Sequence, residues 1–254
     1  MVTMNRAARR LSLALFAAPL ALALSACGSD DTAGEGASGD PVAEVAAPEG
    51  TQWADMMTKT DEGGYLMGNP DAPIKLVEFG ALSCSHCADF AADSFETLRD
   101  EYVNSGRVSF ELRLFMLNSF DIPAALLATC STDEAVIPLA EQFWGAQRSF
   151  FEKGQAAGQA AYDQINNLPP EQRFAAVADV YGMTDFFAAR GIARDQANQC
   201  LSNDTKASEL AAQTQSASQT YEVTGTPTFL INNRNIGSMG WEALEAELQK
   251  AGAR

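Results

Sequence analysis

Two cysteines and the only histidine of the 254-residue chain lie together in the stretch ALSCSHCADF, residues 81–90. Only Ser85 and His86 separate Cys84 from Cys87. A thiol–disulfide site needs one thiol that ionises readily and a second sulfur within reach, and two intervening residues at the start of a helix satisfy both needs. The helix dipole would stabilise a thiolate at Cys84, and a protonated His86 would add positive charge beside it. The spacing therefore predicts a redox-active pair.

Two other uses of Cys84 and Cys87 agree less well with the sequence. A tetrahedral zinc site would need more soft ligands, such as a second close cysteine pair or further histidines, and the chain has neither. A purely structural disulfide across two residues closes a very small loop and therefore stabilises little. We therefore expect thiol–disulfide chemistry without a metal or another cofactor.

Strands and helices alternate around the cysteine pair. Residues 75–82, KLVEFGAL, predict a buried strand that ends directly before the cysteines, and apolar residues recur at helical spacing from 85 to 102. Residues 108–117 predict a second strand, and a strand–helix–strand unit implies parallel pairing. Near the C-terminus, residues 224–233 and 235–239 predict a hairpin, and a closing helix follows.

A block of helices separates these two strand regions. Alanine, glutamine and leucine are frequent there, and the apolar spacing predicts helices at 122–130, 134–151, 171–181, 183–190, 193–202 and 204–220. Four aromatic residues in and near the second of these segments predict core packing, with a ligand groove as the alternative: Phe143, Trp144, Phe150 and Phe151.

The N-terminal residues predict export. Three arginines precede an apolar run, residues 11–24, which has the length of a signal-peptide core. The run ends in the letters LSAC, which resemble the bacterial lipoprotein box in which the cysteine, here Cys27, is lipidated; an ordinary cleavage site is the alternative. Residues 1–26 are therefore predicted as a lipoprotein signal peptide, and residues 27–50, acidic and without aromatic side chains, as a disordered tether.

The charge of the chain restricts its partners. The net charge is −16, and removal of the three arginines in residues 1–26 leaves −19. Such a charge argues against nucleic acid and anionic lipid surfaces as partners. In an exported compartment cysteines tend to pair, so Cys130 and Cys200 are predicted to form a structural disulfide. Two buried free thiols are the alternative.

A second motif, TGTPTF, lies at the start of the C-terminal hairpin. A proline at the start of a strand in this sequence context often carries a cis peptide bond. Such a bond between Thr226 and Pro227 would leave the Thr226 backbone free to pair with an extended peptide, whereas a trans proline would mark an ordinary turn.

The two motifs together resemble a known family. The stretches LVEFGALSCSHCADF and TGTPTFLINN are similar to the active-site and cis-proline motifs of the DsbA-like thiol–disulfide oxidoreductases, and the resemblance covers residues 51–254. It implies an α/β chain with a thioredoxin-like fold and a large all-helical insertion. The fold would comprise residues 51–121 and 221–254, and the insertion would comprise residues 122–220.

The resemblance also implies roles for single residues. Cys84 would be the attacking, solvent-facing cysteine and Cys87 its buried partner, with cis-Pro227 beside them. Glu78 stands where the family has a buried acid that relays protons to the buried cysteine; the alternative is a surface residue at a strand edge. The chain departs from strong oxidants of the family by carrying Ser85 where they have proline.

The sequence thus predicts a lipid-anchored periplasmic enzyme that oxidises cysteine-containing exported client proteins and is reset by a membrane redox partner. Two alternatives stay open. Threonine before the cis-proline also occurs in reducing and isomerising relatives, so the direction of electron flow is open. A non-enzymatic surface lipoprotein that uses the fold only to bind a partner is the second alternative.

Overall fold

The computed structural model describes residues 39–254, so the predicted signal peptide, Cys27 and residues 28–38 of the predicted tether lie outside the described residues. In the described part, a six-stranded mixed sheet has the strand order β1-β2-β4-β3-β5-β6. The strands are β1 (Met57–Lys59), β2 (Tyr65–Met67), β3 (Ile74–Gly80), β4 (Val108–Leu114), β5 (Thr228–Ile231) and β6 (Arg234–Gly237).

The centre of the sheet confirms the strands predicted on either side of the cysteines. Strand β3 pairs in parallel with β4, and helix α1 (Ser85–Thr97) forms the connection between them. Strand β5 pairs antiparallel with the other side of β3 and forms the predicted hairpin with β6. Both faces of β3 are covered, with Leu76 in one apolar cluster and Val77 in another, which explains why its sequence is largely apolar.

The hairpin of β1 and β2 was not predicted. Each strand has only three residues, too few to show an alternation of apolar and polar side chains. Strand β2 pairs antiparallel with β4 and thereby extends the sheet on the side away from β5.

Six helices lie between β4 and β5 and confirm the predicted insertion. They are α2 (Asp121–Ala128), α3 (Val136–Asn167), α4 (Pro170–Tyr181), α5 (Met183–Ala188), α6 (Arg194–Leu201) and α7 (Asp204–Thr220). Helix α8 (Trp241–Lys250) closes the chain. Helix α3 extends well beyond the predicted end at 151. Its second part is largely exposed and is interrupted at Gly158, whose φ of 70° is not helical, so the apolar spacing there is weak. No helix in residues 39–254 is long and apolar enough to span a membrane.

Three of the four aromatic residues that were predicted as core are buried in α3. Phe143 stacks on Phe150 with ring centroids 4.3 Å apart, and on Phe187 of α5 at 5.7 Å. Trp144 is also buried, whereas Phe151 is exposed and stacks on Phe120. The insertion therefore has its own aromatic core, continuous with the core on one face of the sheet.

Residues 39–50 differ from the predicted disordered tether. They lie against the folded domain without regular secondary structure: the Val42 N–H donates to the Gly252 carbonyl at 2.9 Å, and the Trp53 indole donates to the Val45 carbonyl at 2.7 Å. The predicted tether is therefore too long at its C-terminal end. Composition gave no sign of this, because these contacts are made to residues from other parts of the sequence.

Candidate active site

Strand β3 ends at Gly80, and four residues later the chain enters helix α1 with Cys84 at the N-cap position. The backbone of Cys84 is extended, with φ −78° and ψ 118°, as an N-cap requires. Its sulfur accepts a hydrogen bond from the Cys87 N–H at 3.2 Å. A cysteine therefore occupies the place where serine or aspartate usually caps a helix, and its Sγ lies among the free N–H groups of the first turn.

The cis-proline motif meets the cysteine pair from the other side. The peptide bond between Thr226 and Pro227 is cis, as the resemblance implied. The Cys84 sulfur lies 3.2 Å from the Thr226 carbonyl, to which it donates when it is protonated. The fold thus brings together two motifs that lie 142 residues apart in the sequence.

Both cysteines carry free thiols, and both are more covered than expected. Cys87 is fully buried, in agreement with the implied role of a buried partner. Cys84 was expected to face solvent, but it is only 7% exposed. The Thr226 carbonyl contacts its sulfur on one side and the first turn of α1 on the other, so little of the sulfur is left open.

The pKa values of the two thiols are shifted in opposite directions. A hydrogen bond from the Cys87 side chain, helped by the N–H groups of Cys87 and His86, lowers the pKa of Cys84 to about 6 against the opposing effect of burial. Burial, followed by the hydrogen bond to Cys84 and the charge of Glu78, raises the pKa of Cys87 above its ordinary value. One sulfur is therefore a thiolate at neutral pH and the other keeps its proton.

His86 and Ser85 contribute less through their side chains than predicted. The imidazole of His86 is 82% exposed, and its Nδ1 lies 3.9 Å from the Asp89 carboxylate. His86 acts on the Cys84 sulfur through its backbone N–H. The Ser85 hydroxyl is exposed and forms no hydrogen bond with any residue between 39 and 254. At His86, therefore, the backbone N–H acts on the Cys84 sulfur and the exposed ring does not.

Glu78 lies in the interior, which excludes the strand-edge alternative. Its side chain is 1% exposed, and burial, together with the charge of Cys84, raises its pKa to about 8. Its Oε1 has no hydrogen-bond partner among the described residues. A methyl group placed on Gly80 would lie 3.1 Å from that oxygen and 3.2 Å from the Trp144 ring, so the glycine leaves room for the carboxyl group. Glu78 is therefore largely protonated at neutral pH.

Asp121, at the start of α2, holds the loop before Cys84 and was missed by the sequence analysis. Its buried carboxylate accepts from the N–H and the hydroxyl of Ser83 at 2.8 and 2.9 Å. It also accepts from the N–H groups of Leu117 and Asn118. Burial raises the pKa of Asp121 in spite of these hydrogen bonds. The carboxylate thus ties the cysteine loop to the segment that enters the insertion.

Two side chains of helix α3 also hold the cysteine loop, and the sequence analysis did not assign either of them to the site. The Trp144 indole donates to the Ala81 carbonyl at 3.0 Å. The Gln147 amide donates to the Leu82 and Cys84 carbonyls at 2.9 and 3.0 Å. A signal for Gln147 does exist in the sequence, since it is a polar residue on the apolar stripe of a helix.

The second pair of cysteines is bonded, as predicted. Cys130, just after α2, and Cys200 in α6 form a disulfide with Cα atoms 5.8 Å apart. The Gln196 amide also donates to the Cys130 carbonyl at 2.7 Å. This disulfide ties the segment that follows α2 to helix α6 within the insertion. Within residues 39–254 no group of three or more histidine, cysteine or acidic side chains is placed to hold a metal ion.

A cysteine pair at a helix start, opposite a cis-proline on a mixed sheet, defines a thioredoxin-type redox site. Residues 60–250 match the family described as Thioredoxin. A solved structure named as a protein-disulfide isomerase from Novosphingobium aromaticivorans is 32% identical, with a TM-score of 0.69, and the match covers 72% of this chain and 94% of that one. The chain belongs to the DsbA-like members of the thioredoxin family.

More distant proteins agree with this assignment. The structure of alpha-DsbA1 from Wolbachia pipientis, 19% identical with a TM-score of 0.59 over 74% of this chain and 90% of that one, shows the same fold. A relative from Rickettsia conorii, named as a candidate protein-disulfide oxidoreductase, is 24% identical over 196 residues, which are 76% of this chain. The match covers 62% of that relative, so the chain spans about three fifths of the length of such curated relatives.

Proposed function

We propose that the chain is a periplasmic thiol–disulfide oxidoreductase that oxidises dithiols in exported client proteins. The observation that carries the proposal is the position of the Cys84 sulfur at the start of α1, where it accepts a hydrogen bond from the Cys87 N–H at 3.2 Å. This position stabilises a thiolate, and a stable thiolate is a good leaving group in disulfide exchange.

In the first step a client thiolate attacks the Cys84 sulfur of the oxidised enzyme. A mixed disulfide forms, and the bond between the two enzyme sulfurs breaks with both electrons passing to Cys87. Because the pKa of Cys87 is raised, this sulfur must take up a proton as it leaves. The Glu78 carboxyl is protonated at neutral pH and interacts with Cys87, so it is the group that supplies this proton.

In the second step the other client thiolate attacks the client sulfur of the mixed disulfide. Cys84 leaves as a thiolate, and the client keeps the new disulfide. The client has lost two electrons, and the enzyme holds them as the thiol of Cys87 and the thiolate of Cys84. A membrane-bound oxidant that accepts these two electrons would reset the enzyme.

The lowered pKa of Cys84 favours the oxidant direction. Its value of about 6 lies below that of an ordinary cysteine. In the known range it falls between thioredoxin, a reductant with a value of about 7, and DsbA, a strong oxidant with a value of about 3.5. Stabilisation of the thiolate stabilises the reduced enzyme and thereby drives oxidation of the client.

Isomerisation of disulfides is the second candidate. The structure named as a protein-disulfide isomerase is 32% identical, and the match covers 72% of this chain and 94% of that one. Ser85 between the cysteines and Thr226 before the cis-proline are compatible with an isomerase or a reductase, and equally with an oxidant. An isomerase would work from the dithiol form, so its resting state distinguishes it from an oxidant.

We further propose that the protein is exported and held at a membrane through lipidated Cys27. The arginines, the apolar run and the cysteine of the N-terminal segment support this location. Metabolic labelling with a palmitate analogue tests it: the full chain should incorporate label, and Cys27→Ser should not. Label retained by the variant would contradict the anchor without affecting the redox proposal.

The decisive test of function uses a reduced client peptide with two cysteines. The oxidised enzyme should convert it to the disulfide in one turnover, and the two enzyme thiols should appear at the same rate as the client disulfide. A scrambled-disulfide client, added to the dithiol enzyme, tests isomerisation in parallel. Activity on the scrambled client together with no oxidation of the reduced client would overturn the oxidant proposal in favour of an isomerase.

A further inference from the structure

Gln147 is the polar residue on the buried face of α3. It is 6% exposed and lies on the same stripe as the buried residues Trp144 and Phe150. A side-chain amide has two N–H donors, and here one contacts the Leu82 carbonyl at 2.9 Å while the other contacts the Cys84 carbonyl at 3.0 Å. Both donors of this side chain are therefore directed at the loop that carries the reactive cysteine.

The Cys84 carbonyl has a second donor, the Ala88 N–H at 3.2 Å. This is the first backbone hydrogen bond of α1, so the same oxygen is fixed by its own helix and by the helical insertion. Because Cys84 is the N-cap, the orientation of its backbone decides whether its sulfur reaches the Cys87 N–H. Gln147 thus holds the reactive residue without touching its sulfur.

We propose that Gln147 is a positioning residue through which the helical insertion sets the reactivity of Cys84. The positive end of its amide dipole is directed at the Cys84 backbone, where it offsets the negative end of the carbonyl next to the thiolate. Without the amide, two buried carbonyl oxygens lose a donor and the cap loses one of its two restraints. The inference rests on the proposed function, because it assigns the control of that same site.

The test compares Gln147→Met, which keeps the volume but has no donors, with Gln147→Glu, which places acceptor oxygens against the two carbonyls. Gln142→Met is the matched control, since Gln142 is exposed on the same helix and accepts from Arg190. For each folded variant, the pH dependence of Cys84 alkylation gives its ionisation, and equilibration with glutathione gives the redox equilibrium constant.

In Gln147→Met we expect Cys84 to ionise at higher pH and the equilibrium to shift about tenfold toward the oxidised enzyme, since one donor near a charge is worth about one pKa unit. Gln147→Glu should shift both quantities further in the same direction, and Gln142→Met should leave both unchanged. If Gln147→Met loses stability but keeps the wild-type ionisation and equilibrium, Gln147 is only structural and the inference is wrong.

The same experiment separates this inference from the proposed function. If wild-type Cys84 ionises like an ordinary cysteine, the proposed function fails before any variant is compared. If the wild type ionises at low pH and the Gln147 variants match it, only the inference fails. Circular dichroism of each variant establishes that it is folded, and Gln147→Glu decides the outcome if Gln147→Met does not fold.

Discussion

The two cysteine pairs of this chain belong to the same folded domain and have opposite chemistry. Cys84 and Cys87 are three positions apart, carry free thiols and lie at a helix start beside a cis-proline. Cys130 and Cys200 are 70 positions apart and are joined in a disulfide between two helices of the insertion. The first pair is surrounded by donors that stabilise a thiolate. No such donors stabilise a thiolate at the second pair among the contacts of the described residues.

The difference shows that the surroundings, and not the cysteine itself, decide between reactivity and structure. At the first pair the fold stabilises the anion at one sulfur and the neutral thiol at the other, so the reduced state is favoured over the disulfide. At the second pair the bond closes a long loop and restricts the unfolded chain, so the oxidised state is favoured.

Substitution of Cys84 should have the largest effect. Cys84→Ala removes the sulfur that exchanges with the client, so oxidation of a reduced client peptide should fall to the uncatalysed rate. Cys130→Ala with Cys200→Ala, measured in the same assay, should keep most of the wild-type rate. A wild-type protein that oxidises no client peptide, together with an unchanged cellular phenotype in Cys84→Ala, would instead support the alternative of a non-enzymatic binding protein.

Alkylation of the reduced protein should show one thiol that reacts far below the ordinary pH range. Because the pKa of Cys84 is lowered to about 6, its reaction with iodoacetamide should rise through pH 6 and level off near neutrality. An ordinary cysteine with a pKa of about 8.5 would still be gaining reactivity there. Cys87, whose pKa is raised, should stay unmodified in the folded protein, and mass spectrometry of the peptides identifies the site.

Removal of the second pair should lower stability without changing the redox site. The bond between Cys130 and Cys200 closes a loop of about 70 residues, and loss of such a bond costs about 2–4 kcal/mol of unfolding free energy. Urea unfolding of the oxidised double variant measures this loss. A shift in the reduction potential of Cys84 and Cys87 in the same variant would show that the two pairs are coupled, contrary to the comparison drawn here.

Glu78→Gln should lower the rate of client oxidation less than Cys84→Ala does. It should also raise stability, whereas removal of the bond between Cys130 and Cys200 lowers it. Without the acid, Cys87 leaves more slowly, and we expect client oxidation to slow by about tenfold. Because the folded pKa is raised to about 8, stability contributed at low pH is lost as pH rises toward 8, so Glu78→Gln should stabilise the protein most at alkaline pH. Asp121, a buried acid of the neighbouring helix, supplies the contrast: Asp121→Asn should disturb the loop at Ser83 and lower stability.

Much of the fold could be predicted because strong local patterns specify it. Strand β3 is an apolar run interrupted only by Lys75 and Glu78, β4 alternates apolar and polar residues, and the helices of the insertion show clear apolar spacing. Short or exposed elements lack such patterns. The three-residue strands β1 and β2, the second half of α3 and the ordered residues 39–50 were therefore missed or assigned wrongly.

The residues of the candidate site also fall into two groups, those that a local sequence pattern predicts and those that it does not. The CxxC spacing and the TGTPTF motif are local, so the cysteines and Pro227 could be named from the sequence. The supports of the site are contacts between residues that are far apart: Asp121 with Ser83 across 38 positions, and Gln147 with Cys84 across 63. Spacing along one helix or strand does not reveal such contacts, and the exposure of the His86 ring likewise depends on the tertiary fold.

The central claim is that the fold stabilises the Cys84 thiolate and thereby makes the pair an oxidant. The reduction potential of the Cys84 and Cys87 pair, measured by equilibration with glutathione buffers, tests this most directly. We predict a value between about −230 and −120 mV, on the oxidising side of thioredoxin. A potential at or below about −270 mV, the value of thioredoxin itself, would contradict the account.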